Sequence, residues 1–309
     1  MSGSPPRDPA TARVWSTLPD GAREAFDALG SSDLQTLLAD VLTHRAERIT
    51  AADVRRRWES DRLVRPSTSD PRALGALEAR LWQRVPADFD ALELSPVTPF
   101  GTSAALAGIG QDRIVSTARG SEVVSDSTTT LAVEAARRRR AQASDEEVHL
   151  AAGHRQLRTQ SMGGASAHFR LLTLVSSARD RGSGTTEADL LVRHLRTWQA
   201  VLAEAVPALE TTIEISAWSP VLADRVADRV RPALGDTPRM AVVDAPDRTR
   251  AKGYYTDLAL RLEVSGPDGP VEVGDGGLTG WTAALTENRK ERCLVSCAST
   301  ERLLALAGG

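Results

Sequence analysis

Two connections in this sequence suit only antiparallel strands, and they limit the possible folds more than its composition does. The apolar stretches 254–264 and 271–273 are separated by Ser265-Gly266-Pro267-Asp268-Gly269-Pro270, a run of turn-forming residues. A parallel pair needs a crossover of about a dozen residues or more, so these stretches predict a hairpin. A second hairpin is predicted from 148–157 and 168–177, which flank the polar, glycine-rich segment 159–167.

Further strands are expected at 92–96, broken by Pro96, and at 212–217, 240–243 and 293–298. Helical spacing of apolar residues separates them. Leu34, Leu37, Leu38, Val41 and Leu42 mark a helix over 33–45, and Thr50 with Asp53 has capping-box spacing for a second carrying Val54 and Trp58. Asp70-Pro71 opens a third, with Leu74, Leu77, Leu81 and Trp82 as its buried stripe. Ser127 or Thr128 starts a helix reaching about Gln142, and Thr186 with Asp189 opens a long one carrying Leu190, Leu191, Leu195, Trp198 and Leu202. Ser219-Pro220 starts another, and 300–306 forms the last. Antiparallel hairpins mixed with long helices define an α+β fold, not a doubly wound parallel sheet. Residues 1–16 read as a disordered lead, 17–66 as a helical segment, and 67–309 as the main domain.

Composition removes several function classes. With 309 residues and 41% apolar content the chain can bury a core. Its net charge of −3 is no general nucleic-acid signature, which leaves a tRNA partner open only through a local basic face. The chain has no membrane-length apolar run, and the start Met1-Ser2-Gly3-Ser4-Pro5-Pro6 does not resemble a signal peptide, so a cytoplasmic protein is expected. Cys293 and Cys297, four apart in a strand, would lie roughly 13 Å apart, too far for a disulfide. No metal-ligating cluster is predicted. Lysine occurs only at 252 and 290, so a lone arginine carries little information.

Three segments could carry chemistry. Arg155 and Arg158 precede the 159–167 loop and Phe169-Arg170 follow it, and arginine forks suit phosphate or carboxylate oxygens. Arg250-Ala251-Lys252-Gly253-Tyr254-Tyr255-Thr256-Asp257 contains both tyrosines of the chain, and adjacent strand positions would send one ring to the core and one to a pocket. Gly274-Asp275-Gly276-Gly277 permits close backbone approach to a ligand, and Glu301-Arg302-Leu303 opens the last helix.

In order and spacing these segments resemble the class II aminoacyl-tRNA synthetase catalytic domain, in particular histidyl-tRNA synthetase and its paralogue, the regulatory subunit of ATP phosphoribosyltransferase. Arg250, Tyr254, Tyr255 and Thr256 match the family's tyrosine motif. Arg155, Phe169 and Arg170 match its second motif, and Glu301, Arg302 and Leu303 its third. Residues 71–96 correspond to the first motif, and Asp126 to Thr129 to a threonine-bearing segment. The resemblance implies a six- or seven-stranded antiparallel sheet flanked by helices and a homodimer formed through the first-motif helix. It also implies ATP with Mg²⁺, held by Arg155, Phe169, Arg170, Glu301 and Arg302, with Arg155 and Arg302 as the catalytic arginines. Substrate would meet Thr129, Arg250, Tyr254, Tyr255, Gly276 and Gly277.

The departures are equally specific. Leu174 and Ala178 stand where the family holds histidine with Gln and Glu, Leu157 where a Glu reads adenine, and Leu278-Thr279-Gly280 where it has Arg-Tyr-Asp. Lys252 and Gly253 replace Leu and Asp, and Ser299 replaces a glycine. Histidine is therefore not the expected substrate. The 215–254 interval has room for one helix and one strand but no inserted domain, and no anticodon-binding domain is expected. Two functions remain. One is an ATP-dependent ligase that adenylates a small carboxylate or a non-histidine amino acid. The other is a catalytically lapsed paralogue that binds a ligand or a partner enzyme.

Overall fold

In a computed structural model the described residues are 9–141, 146–160 and 166–308. Four helices lead the chain: α1 (Pro9–Trp15), α2 (Ala22–Ala28), α3 (Ser31–Ala46) and α4 (Ala51–Ser60). Residues 9–15 are thus helical where disorder was expected, and 1–8 lie outside the described residues. None of the four buries a residue fully, and Leu37, Leu38, Val41, Leu42, Val54 and Trp58 stay exposed. The capping box at α4 is present: the Thr50 hydroxyl accepts from the Asp53 N–H, and the Asp53 carboxylate from the Thr50 N–H.

Helix α5 (Pro71–Trp82) starts at the Asp70 cap and buries Leu74, Leu77 and Leu81. The strand expected at 92–96 lies instead at β1 (Asp90–Ala91), because only there does the backbone run alongside the sheet. Beyond it Leu92 sends a single N–H to the Ala151 carbonyl at 2.8 Å, and the chain turns into β2 (Val97–Pro99). That strand pairs with β3 (Ser121–Val123) around α6 (Thr102–Ala107) and a tight 3-10 turn (Gln111–Arg113). Helix α7 (Ser127–Ala141) follows; the expected end at Gln142 lies outside the described residues.

Strands β4 (Val148–Leu157) and β5 (His168–Arg179) pair antiparallel along their whole length, as expected, and 161–165 of their connection lie outside the described residues. Helix α8 (Thr185–Ala205) begins after Gly184 at φ 69°, not at a Thr186 cap. Thr186 is buried, and its hydroxyl instead donates to the Arg179 carbonyl and accepts the Arg181 N–H. Next come β6 (Thr211–Ala217), α9 (Pro220–Arg225) running through a π-turn into α10 (Arg231–Ala233), and β7 (Met240–Asp244). Strands β8 (Leu258–Gly266) and β9 (Gly269–Thr279) form the hairpin, turning at Gly269 with φ 117°. Helix α11 (Trp281–Thr286), β10 (Glu291–Ser299) and α12 (Thr300–Ala307) complete the chain.

Among the described residues eight strands form one sheet, ordered β1-β4-β5-β10-β9-β8-β6-β7. Its interior pairs are antiparallel and its two edge pairs, β1 with β4 and β6 with β7, are parallel. The sheet is therefore mixed and wider than the six or seven antiparallel strands expected. One face buries Leu191, Leu195, Trp198 and Leu202 of α8, with Leu77 and Leu81 of α5, against Leu174, Leu260, Leu262 and Leu294. The other packs Leu131 and Ala135 of α7 and Trp281 of α11 on Leu150, Val175 and Val295. Each such leucine contributes about 1.5–3 kcal/mol of burial free energy, so both layers hold the sheet rigidly. Cys293 and Cys297 are free thiols. No helix among the described residues is long and apolar enough to cross a membrane.

Candidate functional site

A cavity of about 670 Å³ opens beside β5, β9 and β10, between the start of α7, the turn before β8 and the first turn of α12. The tyrosine pair sits in that turn and not in a strand, since β8 begins only at Leu258. Ala251 at φ 71° and Gly253 at φ 96° fold the segment back, and the N–H groups of Tyr254 and Tyr255 both reach the Ala251 carbonyl, at 3.1 and 3.0 Å. The two rings consequently meet edge to face at 4.9 Å, and Tyr254 rests on Trp281 at 5.8 Å. Both tyrosines line the cavity.

Tyr254 donates its hydroxyl to Asp126 Oδ2 at 3.3 Å. Asp126 Oδ1 also accepts from the Thr128 N–H at 2.9 Å and the Thr128 hydroxyl at 2.6 Å, and Oδ2 faces Arg158 at 3.5 Å. Asp275 of β9 has a poorer shell: its nearest donor is the Cys297 thiol at 3.6 Å. Burial raises its carboxyl above the usual range, and the charges of Asp126 and Glu272 add to that. Burial likewise pushes the Cys297 thiol and both tyrosine hydroxyls well up, so they stay protonated. The floor is thus acidic and hydroxyl-lined.

The rim is basic. Arg158 stacks on the Phe169 ring at 5.2 Å and donates to the Ser125 carbonyl at 2.9 Å. Arg302 donates to the Glu272 carbonyl at 2.6 Å, and Arg250, largely exposed, reaches the Glu272 carboxylate at 3.3 Å. Arg113 lines the same space. Movable guanidinium groups of this kind can take up phosphate or carboxylate oxygens.

Of the residues expected from the sequence, Phe169, Arg250, Tyr254, Tyr255, Glu301 and Arg302 line the cavity. Arg155 stands behind it, its guanidinium held by His168 Nδ1 and Glu301 Oε1, both at 2.8 Å. Arg170 is drawn to Glu78 of α5 at 2.8 Å, away from the cavity. The Thr129 hydroxyl donates to the Asp126 carbonyl at 2.8 Å from a buried position on α7. The two glycines serve packing: a Cβ on Gly276 would meet the Ser296 Cβ at 2.5 Å, and one on Gly277 the Tyr255 ring at 2.5 Å. Arg158, read beside the loop as an arginine fork, lines the cavity, whereas Asp126 and Asp275 were not expected as site residues although each lies within a segment singled out. The one signal for these two carboxylates is position: Asp126 stands before four serine or threonine residues and Asp275 among glycines.

The sheet, its flanking helices and this cleft across β5, β9 and β10 define the class: the fold is that of class II aminoacyl-tRNA synthetase catalytic domains. Apo histidyl-tRNA synthetase of S. aureus superimposes with a TM-score of 0.57 at 13% identity, over 77% of this chain and 65% of that one. An ATP phosphoribosyltransferase regulatory subunit/histidyl-tRNA synthetase from Bacillus halodurans gives 0.56 at 11% identity, over 79% and 82%. A histidine–tRNA ligase subunit from Alicyclobacillus acidocaldarius gives 0.56 at 15%, over 79% and 97%. This chain thus spans slightly less than two thirds of the first of these. No family model and no curated protein sequence matches it.

Proposed function

We propose that the cleft binds ATP and activates the carboxylate of a small, non-histidine substrate as an adenylate. The observation that carries this reading is the retained cavity, with Arg158, Arg250 and Arg302 at its rim, Phe169 as an aromatic platform, and an acidic floor beneath. Bound ATP would supply the electrophilic α-phosphorus. The chain's part is positioning and charge neutralisation: the arginines hold phosphate oxygens while the tyrosine wall orients the acid. Among the described residues no cluster of three or more His, Cys, Asp or Glu side chains could hold a metal ion. Mg²⁺ would instead be held mainly by the phosphates, with Glu272 as the protein carboxylate. The same reading has the protein act in the cytoplasm as a homodimer with α5 at the interface.

Purified protein with ATP, Mg²⁺ and a panel of amino acids and small carboxylates should exchange labelled pyrophosphate into ATP, and Arg302→Ala should abolish that exchange. A panel giving no exchange overturns the reading.

A second reading, a lapsed paralogue that regulates a partner enzyme, has its own support. Leu174 and Leu278 are buried in the apolar core where the family is polar, and Arg155 is locked onto Glu301. It requires negligible ATP binding by calorimetry and a co-purifying partner.

A further inference from the structure

Residues 61–69 join α4 to α5 as a strap along one side of the cavity, which Ser67, Thr68 and Ser69 line. No residue of the strap is buried, and none of the helices α1 to α4 ahead of it buries a residue fully. Hydrogen bonds, more than apolar packing, therefore hold it in place. Arg62 donates to the Thr159 carbonyl, the Ser67 hydroxyl donates to Glu301 Oε1 at 2.9 Å, and the Arg65 carbonyl lies 2.6 Å from His168 Nε2.

Two of these three contacts depend on Arg155. A guanidinium only donates, so His168 Nδ1, 2.8 Å from Arg155 Nη1, has to accept. The ring hydrogen then sits on Nε2, which is the tautomer able to donate to the Arg65 carbonyl. Without the guanidinium that tautomer loses what fixes it. The second dependence runs through Glu301, whose Oε1 accepts from Arg155 Nη2 at 2.8 Å as well as from Ser67. Arg155 thus orients the carboxylate that Ser67 grips, and one side chain props both contacts.

We propose that the strap is a latch on the cleft, held while Arg155 rests on Glu301 and His168 and released when an anion in the cleft draws Arg155 away. Cleft occupancy and the placement of the N-terminal helices are then coupled, and such coupling is reciprocal. Whatever lifts the strap favours the anion, and whatever fixes the strap opposes it. Release uncovers little apolar surface, so the differential affinity of one anionic ligand is enough to drive it. The proposal rests on the phosphate-binding reading of the cleft given above, but not on adenylation.

The test is hydrogen exchange of the full chain, read by mass spectrometry, with calorimetry beside it and with inorganic pyrophosphate and ATP with Mg²⁺ as the probes. A saturating probe should speed exchange of the 61–69 amides several-fold while those of α8 stay as they are. Arg155→Ala should show the faster strap exchange with no probe present. His168→Phe, which keeps a ring but neither nitrogen, should do the same and provides the measurement if Arg155→Ala misfolds. Ser67→Ala should bind pyrophosphate several-fold tighter than the parent, whereas a serine that merely touched the ligand would give weaker binding. Strap exchange that is unchanged or slower with a probe bound, strap exchange unaltered in both variants, or weaker binding by Ser67→Ala overturns the proposal. The two readings fail separately. If neither probe binds, the phosphate-binding reading falls and the coupling with it, whereas binding without strap release removes the coupling alone.

Discussion

Arg155 Nη2 donates to Glu301 Oε1 at 2.8 Å, tying the end of β4 to the first turn of α12. The Ser67 hydroxyl donates to the same oxygen at 2.9 Å, so the segment after α4 is fastened to this pair as well. The arginine matched to phosphate binding is therefore already occupied, and a nucleotide has to compete with Glu301 for it. Replacing Glu301 by Gln removes that competitor and should tighten ATP several-fold by calorimetry. Arg155→Ala should weaken it about tenfold, the value of one charge-assisted hydrogen bond of about 1.5 kcal/mol. Equal weakening by both variants would contradict the competition.

Arg139 of α7 grips Glu291 of β10 with two hydrogen bonds of 2.8 and 3.0 Å, and both side chains are buried. Removing either partner breaks this buried charge pair. Glu291→Ala should lower stability by about 3–5 kcal/mol in urea unfolding, more than any exposed pair on the surface would cost.

Gly277 has no room for a methyl group, because its Cβ would meet the Leu258 carbonyl and the Tyr255 ring at 2.5 Å. Gly277→Ala should cost about 1–3 kcal/mol by overpacking. Displacement of the Tyr255 ring should also weaken ligand binding, whereas Gly280→Ala, with open space around it, should do neither.

His194 is fully buried between two hydroxyls, Nδ1 at 2.8 Å from Ser296 and Nε2 at 2.9 Å from Ser176. Burial holds its pKa well below 6.5, with the charges of His149 and Arg193 adding to the effect. Below 6.5 the unfolded chain takes up a proton that the folded chain refuses, so stability is intact above that pH and falls as the pH drops through it. The melting temperature should therefore decline from pH 7 to pH 5. In His194→Gln that part of the decline should vanish, even though the variant is less stable at pH 7.

Local rules located most elements. The 148–157 strand, the Asp70-Pro71 helix start and the Thr50 capping box depend on neighbours within a few residues, and those neighbours are visible in the sequence. Thr186 was misread as a cap because Gly184 turns the chain first. The tyrosine pair was misread as a strand because two aromatics at the edge of an apolar run look alike whether they enter it or fold back ahead of it. The turn depends on Ala251 and Gly253 at positive φ, which a sequence pattern does not reveal for alanine.

What the sequence by itself determined is the α+β class, the antiparallel hairpins and the resemblance carried by Arg155, Phe169, Tyr254-Tyr255 and Arg302, because periodicity, turn chemistry and motif spacing are local. Only the tertiary structure decided which of those residues meet. It set Asp126 against Tyr254 across 128 positions, sent Arg170 to Glu78, and left Asp275 half-buried beside the Cys297 thiol. Burial and partnership are properties of the packed sheet, and the charge and hydrogen-bond chemistry of the cleft follows from them.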